Sequence, residues 1–186
     1  SYKKNDNANL FSTLVKKELL NVSGPQNYVP LYSKFFTLSD NNFNNINLNN
    51  SLSLVSIENR ESENKYSGTV IDEKGETKER KIFFKLSPLL DPTKFMIGKY
   101  DLSNTNLLKL PLLGDDSSHP KVRDPNNSAY VDSFFTYLTS QLLHKHAFIH
   151  GVDFFGSFLA IKNDYSVNIS DDIEYLNESP FFHKNK

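Results

Sequence analysis

One lysine stands inside an apolar, strand-like run, Ile82-Phe83-Phe84-Lys85-Leu86. A lysine so placed has two uses. It can hold a phosphate as a point charge, or it can lay its stem on apolar neighbours and keep its ammonium in water. Other charged or polar groupings read as structural. His144 and His146 flank Lys145 near an expected helix end, and His at i, i+2 does not share a helical face. A helix C-terminus attracts cations, so these histidines fit a capping role better than a metal site. Asp115-Asp116 with His119 lies in a Pro-bounded stretch and reads as a solvated loop. Asp171, Asp172 and Glu174 read as a charged strand edge rather than a cation site. There is no P-loop, GxGxxG, GxSxG or HExxH pattern. With no cysteine, thiolate metal sites, Cys nucleophiles and disulfide scaffolds are excluded.

The elements that must position Lys85 are legible from periodicity. The stretch KYSGTVIDEKGETKERKIFFKLSPLL holds two strand-like runs around Glu73-Lys74-Gly75-Glu76 and stops at Pro88. Residues 51–58, SLSLVSIE, form a third strand with a register change at Leu54-Val55. Together they predict an antiparallel meander. Tyr130, Phe134, Leu138 and Leu142 recur every four residues, with Val131 and Phe135 widening the face. That spacing predicts a long amphipathic helix over 128–146, capped by Ser128. The core is expected between this helix and the hairpin 65–86. Residues 8–20 carry a shorter apolar stripe, Leu10, Phe11, Leu14, Val15 and Leu19. It is expected to pack on the domain surface as a helix, with Asp6 or Asn7 as its cap and Gly24-Pro25 as its end. A detachable partner-binding helix is the alternative.

Between these elements lie less regular stretches. Residues 28–38, YVPLYSKFFTL, read as an edge strand or an extended segment on the core. Asp40 to Asn50 is Asn-rich and reads as a surface loop. Residues 89–100 read as a short helix or irregular crossing, and 101–127 as a long connection. Residues 148–161 and 166–176 read as strands joined by a turn at 162–165. The fold class is therefore α+β: an antiparallel sheet with one long amphipathic helix packed on a face, an N-terminal helix and long irregular loops. Residues 1–50 form an N-terminal helix and Asn-rich arm, and 51–186 a single domain.

Composition bounds the function. Of 186 residues, 38% are hydrophobic and 13% aromatic, enough for one core. The net charge of −1 gives no global field for nucleic acid or anionic membrane. No apolar run approaches transmembrane length. The N-terminus lacks the apolar core of a signal peptide. The expectation is an intracellular protein that binds a protein partner, without catalysis or cofactor. The ends, SYKKNDNANLF without an initiator Met and PFFHKNK without a closing element, read as those of an excised or truncated chain.

Two resemblances extend this reading. The order of strands, a strand ending in Phe83-Phe84-Lys85, a long helix, two further strands and Ile173-Glu174-Tyr175-Leu176 resembles the small lobe of protein kinases, whose hinge has the form x-E-Y-L. The resemblance implies ATP and Mg as ligands, Lys85 as the phosphate lysine and Glu174 and Tyr175 in the hinge. The partner acid on the helix would be Asp132, since the helix contains no Glu. No Gly-rich loop precedes the hairpin, and no HRD or DFG occurs within the chain. Separately, the Asn/Lys/Ile/Phe-rich texture and phrases such as FFKLSPLLDPTKFMIGKYD and FIHGVDFFGSFLAIKNDYSVNISDDIEYL look like conserved uncharacterised proteins of nucleocytoplasmic large DNA viruses of the mimivirus kind. That resemblance implies a viral protein in the cytoplasm of an infected cell or in the virion, and carries no assigned activity.

Overall fold

A computed structural model describes residues 1–16 and 19–185. The class is α+β, with every strand pair antiparallel. In chain order the elements are β1 (Tyr2–Lys4), α1 (Ala8–Lys16), β2 (Val22–Gln26), β3 (Ile46–Leu48), β4 (Leu52–Arg60), β5 (Lys65–Asp72) and β6 (Thr77–Phe83). They continue with α2 (Pro92–Met96), α3 (Pro120–Arg123), α4 (Ser128–His146), β7 (Leu159–Lys162), α5 (Ile173–Asn177) and α6 (Pro180–Asn185).

The meander β4-β5-β6 forms as its alternation predicts. Pairing of β4 with β5 slips between Leu54 and Ser56, so Val55 is the extra residue of a bulge. A second slip lies between Ile57 and Asn59. The β5–β6 register runs unbroken from Lys65↔Phe83 to Ile71↔Thr77. Its turn uses Gly75 at φ 85°, a backbone region glycine enters without strain. Asp72 accepts the N–H groups of Lys74 and Glu76 at 2.9 and 3.0 Å. The Glu76 N–H is the largest of the effects that hold the Asp72 carboxyl below its ordinary range.

The core is built in two clusters. The first joins Leu10 and Leu14 of α1 to Leu20, Val22, Ile57, Tyr66, Val70 and Ile82. Thus α1 lies against the meander, as its apolar stripe requires, and Asp6 Oδ1 accepts from Ala8 N–H at its start. The part of the expected helix over 17–18 lies outside the described residues. The chain then enters β2, which contains Gly24-Pro25. The second cluster joins Val29, Leu31, Tyr32, Ile46, Leu48, Tyr130 and Phe154. Here α4 packs, so the expected core between α4 and the hairpin is divided. Among the described residues α4 adds no buried side chain to the meander's cluster; α1 covers that sheet instead.

Several irregular stretches differ from expectation. Residues 28–38 are not a strand. Pro30 opens a 3₁₀ turn, Pro30–Lys34, because its fixed φ suits a helical first position and it has no N–H for a ladder. Pro30, Leu31 and Tyr32 are buried there. The Asn-rich segment is more than a surface loop, since its alternating Ile46 and Leu48 are buried in β3, paired with β1. Its asparagines act as hydrogen-bonding hardware. Asn27, 1% exposed, donates through Nδ2 to Asn5 O and Asn44 O at 3.3 and 3.0 Å. Asn27 Oδ1 accepts from Asn7 Nδ2 at 2.7 Å. Asn44 Oδ1 in turn accepts the N–H groups of Asn27 and Tyr28.

Of the expected strand 148–161 only its end becomes β7, paired with β2. So the first fifty residues and the C-terminal part share a sheet. Residues 166–176 are not a strand: a 3₁₀ turn, Ser170–Asp172, leads into α5. Leu176, fully buried, anchors that short helix. Asp171, Asp172 and Glu174 therefore lie in a helical first turn, where carboxylates meet the positive end of the dipole.

Candidate functional site

Lys85 lies two residues beyond the end of β6, outside any helix or strand. Phe84 N–H donates to Asn64 O at 2.9 Å, and the Phe84 ring meets Tyr66 edge-on at 5.3 Å. With Phe84 turned inward, its neighbour Lys85 reaches α4. Its Nζ donates to Asp132 Oδ2 at 2.7 Å, with side chains 63% and 45% exposed. The pair bounds a shallow hollow of about 330 Å³ with Pro88 and Ser128. On its other side Lys85 lines a cleft of about 680 Å³ that also holds Arg60, Lys162, Glu63, Asp164 and Tyr66. Arg60 donates to Ser62 O and Glu63 O. Lys162 donates to Asn163 O at 2.8 Å.

The structure thus brings Lys85 and Asp132 together. Glu174 and Tyr175 sit on α5 and line neither hollow. The C-terminal helices are held elsewhere: Thr93 Oγ1 donates to Asp172 Oδ2 at 3.4 Å, and Gly98 lies so close to the Phe181 ring that an added Cβ would come within 2.6 Å of it. Lys85, paired with Asp132, borders both hollows, and in the larger one Arg60 and Lys162 stand beside Glu63 and Asp164.

The other titratable groupings are engaged in local contacts. Asp115 accepts from Lys109 Nζ at 2.7 Å and from Ser117 N–H at 2.8 Å, and the lysine foremost holds its carboxyl well below the ordinary carboxylate range. Asp116 pairs with Arg123. His119 caps α3, its Nδ1 accepting from Lys121 N–H at 3.1 Å. His144 pairs with Asp153 of the returning chain. The helix itself ends at Ala147 in the left-handed region, φ 54°. No cluster of three or more metal-ligating side chains occurs among the described residues.

A feature the sequence reading passed over stands on α4. The helix starts one residue after its cap. Asn127, not Ser128, is the cap, its Oδ1 accepting from Ala129 N–H at 3.1 Å. Asn127 Nδ2 also donates to Leu89 O and Lys121 O, at 3.0 and 2.8 Å, which anchors the helix start to the long connection. Tyr130 and Ser140 are buried on the inner side, with Tyr130 Oη donating to Val122 O at 2.7 Å. Val131, Phe135, Leu138 and Leu142 are 46%, 64%, 43% and 45% exposed. Their 4-3-4 spacing places them in one row opposite the buried side. Phe35, 52% exposed, stacks on Phe134 at 4.6 Å and widens the apolar surface beside the row. The signal was present in the sequence. Apolar residues at both 130/134/137 and 131/135/138/142 cover more of the helix than one core-facing stripe needs.

No protein-family model, curated protein or solved structure matches this chain. Among the described residues no helix is long and apolar enough to cross a membrane.

Proposed function

We propose that this chain is a non-catalytic protein-binding domain of a viral protein acting in the cytoplasm of an infected cell or in the virion. The observation that carries the binding reading is the outward apolar row of α4. A core-packed helix turns its apolar side chains inward, and a contiguous exposed patch on a stable domain marks an interaction surface. The viral attribution rests on the texture of the sequence. Residues 28–38 offer less free apolar surface, with Phe35 exposed and Pro30, Leu31 and Tyr32 buried.

The test is photo-crosslinking in cells from a benzophenone amino acid at Phe135, with the same group at Glu79 on the exposed β6 strand as control. Discrete protein adducts are expected at position 135 and are lost when Leu138→Asp is added. Absence of adducts, or equal adducts at position 79, overturns the reading.

A second reading is favoured by one contact. The Lys85–Asp132 pair, with Arg60 and Lys162 in the adjoining cleft, supports nucleotide binding at Lys85. ATP with Mg titrated into the native chain and into Lys85→Ala decides it. Equal binding by the two, or binding by neither, removes it.

A further inference from the structure

We infer that the partner of the α4 row is a second copy of this chain, packed antiparallel on the same row. This rests on the reading of α4 as a docking face. Spacing and area on α4 point to that occupant, and charge sets its direction.

The first is spacing. Val131, Phe135, Leu138 and Leu142 repeat with the 4-3 alternation of a coiled-coil seam, which fits another straight helix carrying the same alternation. A two-fold axis between positions 136 and 137 sets Phe135 against the partner's Leu138 and Val131 against the partner's Leu142. Each large side chain then meets a smaller one, and each row is used once. The seam spans about 16 Å at 1.5 Å per residue.

The second is charge. None of the four row positions is charged. The last turn of α4 carries Lys145 and His146 beside His144, which Asp153 already faces, and its first turn holds no acid. A parallel pair stacks the two basic ends and aligns the helix dipoles. An antiparallel pair keeps the basic ends more than 20 Å apart over a helix about 28 Å long and opposes the dipoles.

The third is area. The four row residues, together with Phe35 beside them, form the exposed apolar surface of the seam. It amounts to on the order of 500 Å² per copy. Two copies bury about 1,000 Å², the lower bound for a specific interface. The dimer is therefore a reversible one.

The experiment uses the purified chain, which has no cysteine of its own. Sedimentation equilibrium is expected to show a monomer–dimer equilibrium in the micromolar range. Phe135→Asp is expected to weaken it at least tenfold with an unchanged far-UV circular dichroism spectrum. Leu142→Gln, a milder change at an exposed site, serves as the second variant should Phe135→Asp misfold. Mixed Val131→Cys and Leu142→Cys copies are expected to cross-link to each other under oxidation, whereas Val131→Cys alone is not. A chain monomeric at every concentration, or preferential cross-linking of Val131→Cys to itself, overturns the inference. Adducts of Phe135 with a different protein, from a monomeric chain, would sink the dimer and leave the docking reading standing; no adduct and no dimer would sink both.

Discussion

At the scale of single residues, the asparagines do what their abundance conceals. An amide side chain carries both donors and an acceptor, so it can stand in for backbone partners where no ladder continues. Asn27 does this in a buried position, joining the chain after β1 to the turn before β3 through Asn5, Asn7 and Asn44. Removing its amide takes the Asn27 donor from the Asn44 carbonyl, leaves Asn5 O and Asn7 Nδ2 with only their bonds to Asn47, and opens a polar gap at a buried site. Asn27→Ala is therefore expected to cost about 1–3 kcal/mol, the penalty for buried groups left without partners. Asn41→Ala, at an exposed position in the same Asn-rich run, is expected within about 0.5 kcal/mol of the parent. Urea denaturation of both variants checks the contrast. Equal losses would mean that the asparagines act as ordinary loop residues. The Lys85–Asp132 pair is the opposite case: it is short but exposed on both sides, and solvent screening leaves such a pair little weight in stability.

At the scale of elements, legibility followed the strength of local pattern. The meander was readable because β4, β5 and β6 are adjacent in sequence and joined by tight turns, down to the bulge at Val55. Helix α4 was readable from its four-residue recurrence, with the cap misplaced by one residue. Asn127 and Ser128 are both good capping types, and local sequence does not say which backbone turns first. Failures came where tertiary contacts decide. Residues 148–158 are apolar, aromatic and glycine-bearing, which mimics a strand. They are used instead to climb back along α4, where Phe154 N–H donates to Ser140 Oγ at 3.1 Å and an added Cβ on Gly151 would lie 2.6 Å from Thr139 O. Residues 166–176 alternate well enough to look extended, yet the chain turns helical there and buries Leu176 on α5. For the candidate site, Lys85 and Asp132 were legible as a pair. Glu174 and Tyr175 were joined to them only through the order of elements, and α5 carries them away. The outward row of α4 left a signal, an excess of apolar positions on the helix, but that excess does not say which of them face a core and which face water.

At the scale of the whole molecule, the question is whether two core clusters make one cooperative body or two. The connections favour one. β2 pairs with β7 across nearly the whole length of the chain, Val22 facing Lys162 and Gln26 facing Leu159. Val22 belongs to the meander's cluster, while Leu159 packs against the cluster beneath α4. The neighbours Phe154 and Phe155 likewise point to different clusters, and Leu54 N–H of β4 donates to Phe155 O at 2.9 Å. Loosening either cluster must strain a backbone that the other holds. Leu14→Ala, in the first cluster, and Leu48→Ala, in the second, remove side chains 0% and 4% exposed. Each is expected to cost about 2–5 kcal/mol through lost burial and a residual cavity. Each is also expected to shift one shared transition rather than split it. Hydrogen exchange of the native chain reads this by position. In Leu14→Ala the amides of β5 and of the middle of α4 should lose protection by the same free energy, although α4 lies outside the altered cluster. Loss confined to β5 would show that the meander opens alone, with the α4 body remaining closed. Equal loss means that the row on α4 stands on the full stability of the fold, which is what a docking surface needs to hold four side chains in register without ordering them anew at each encounter.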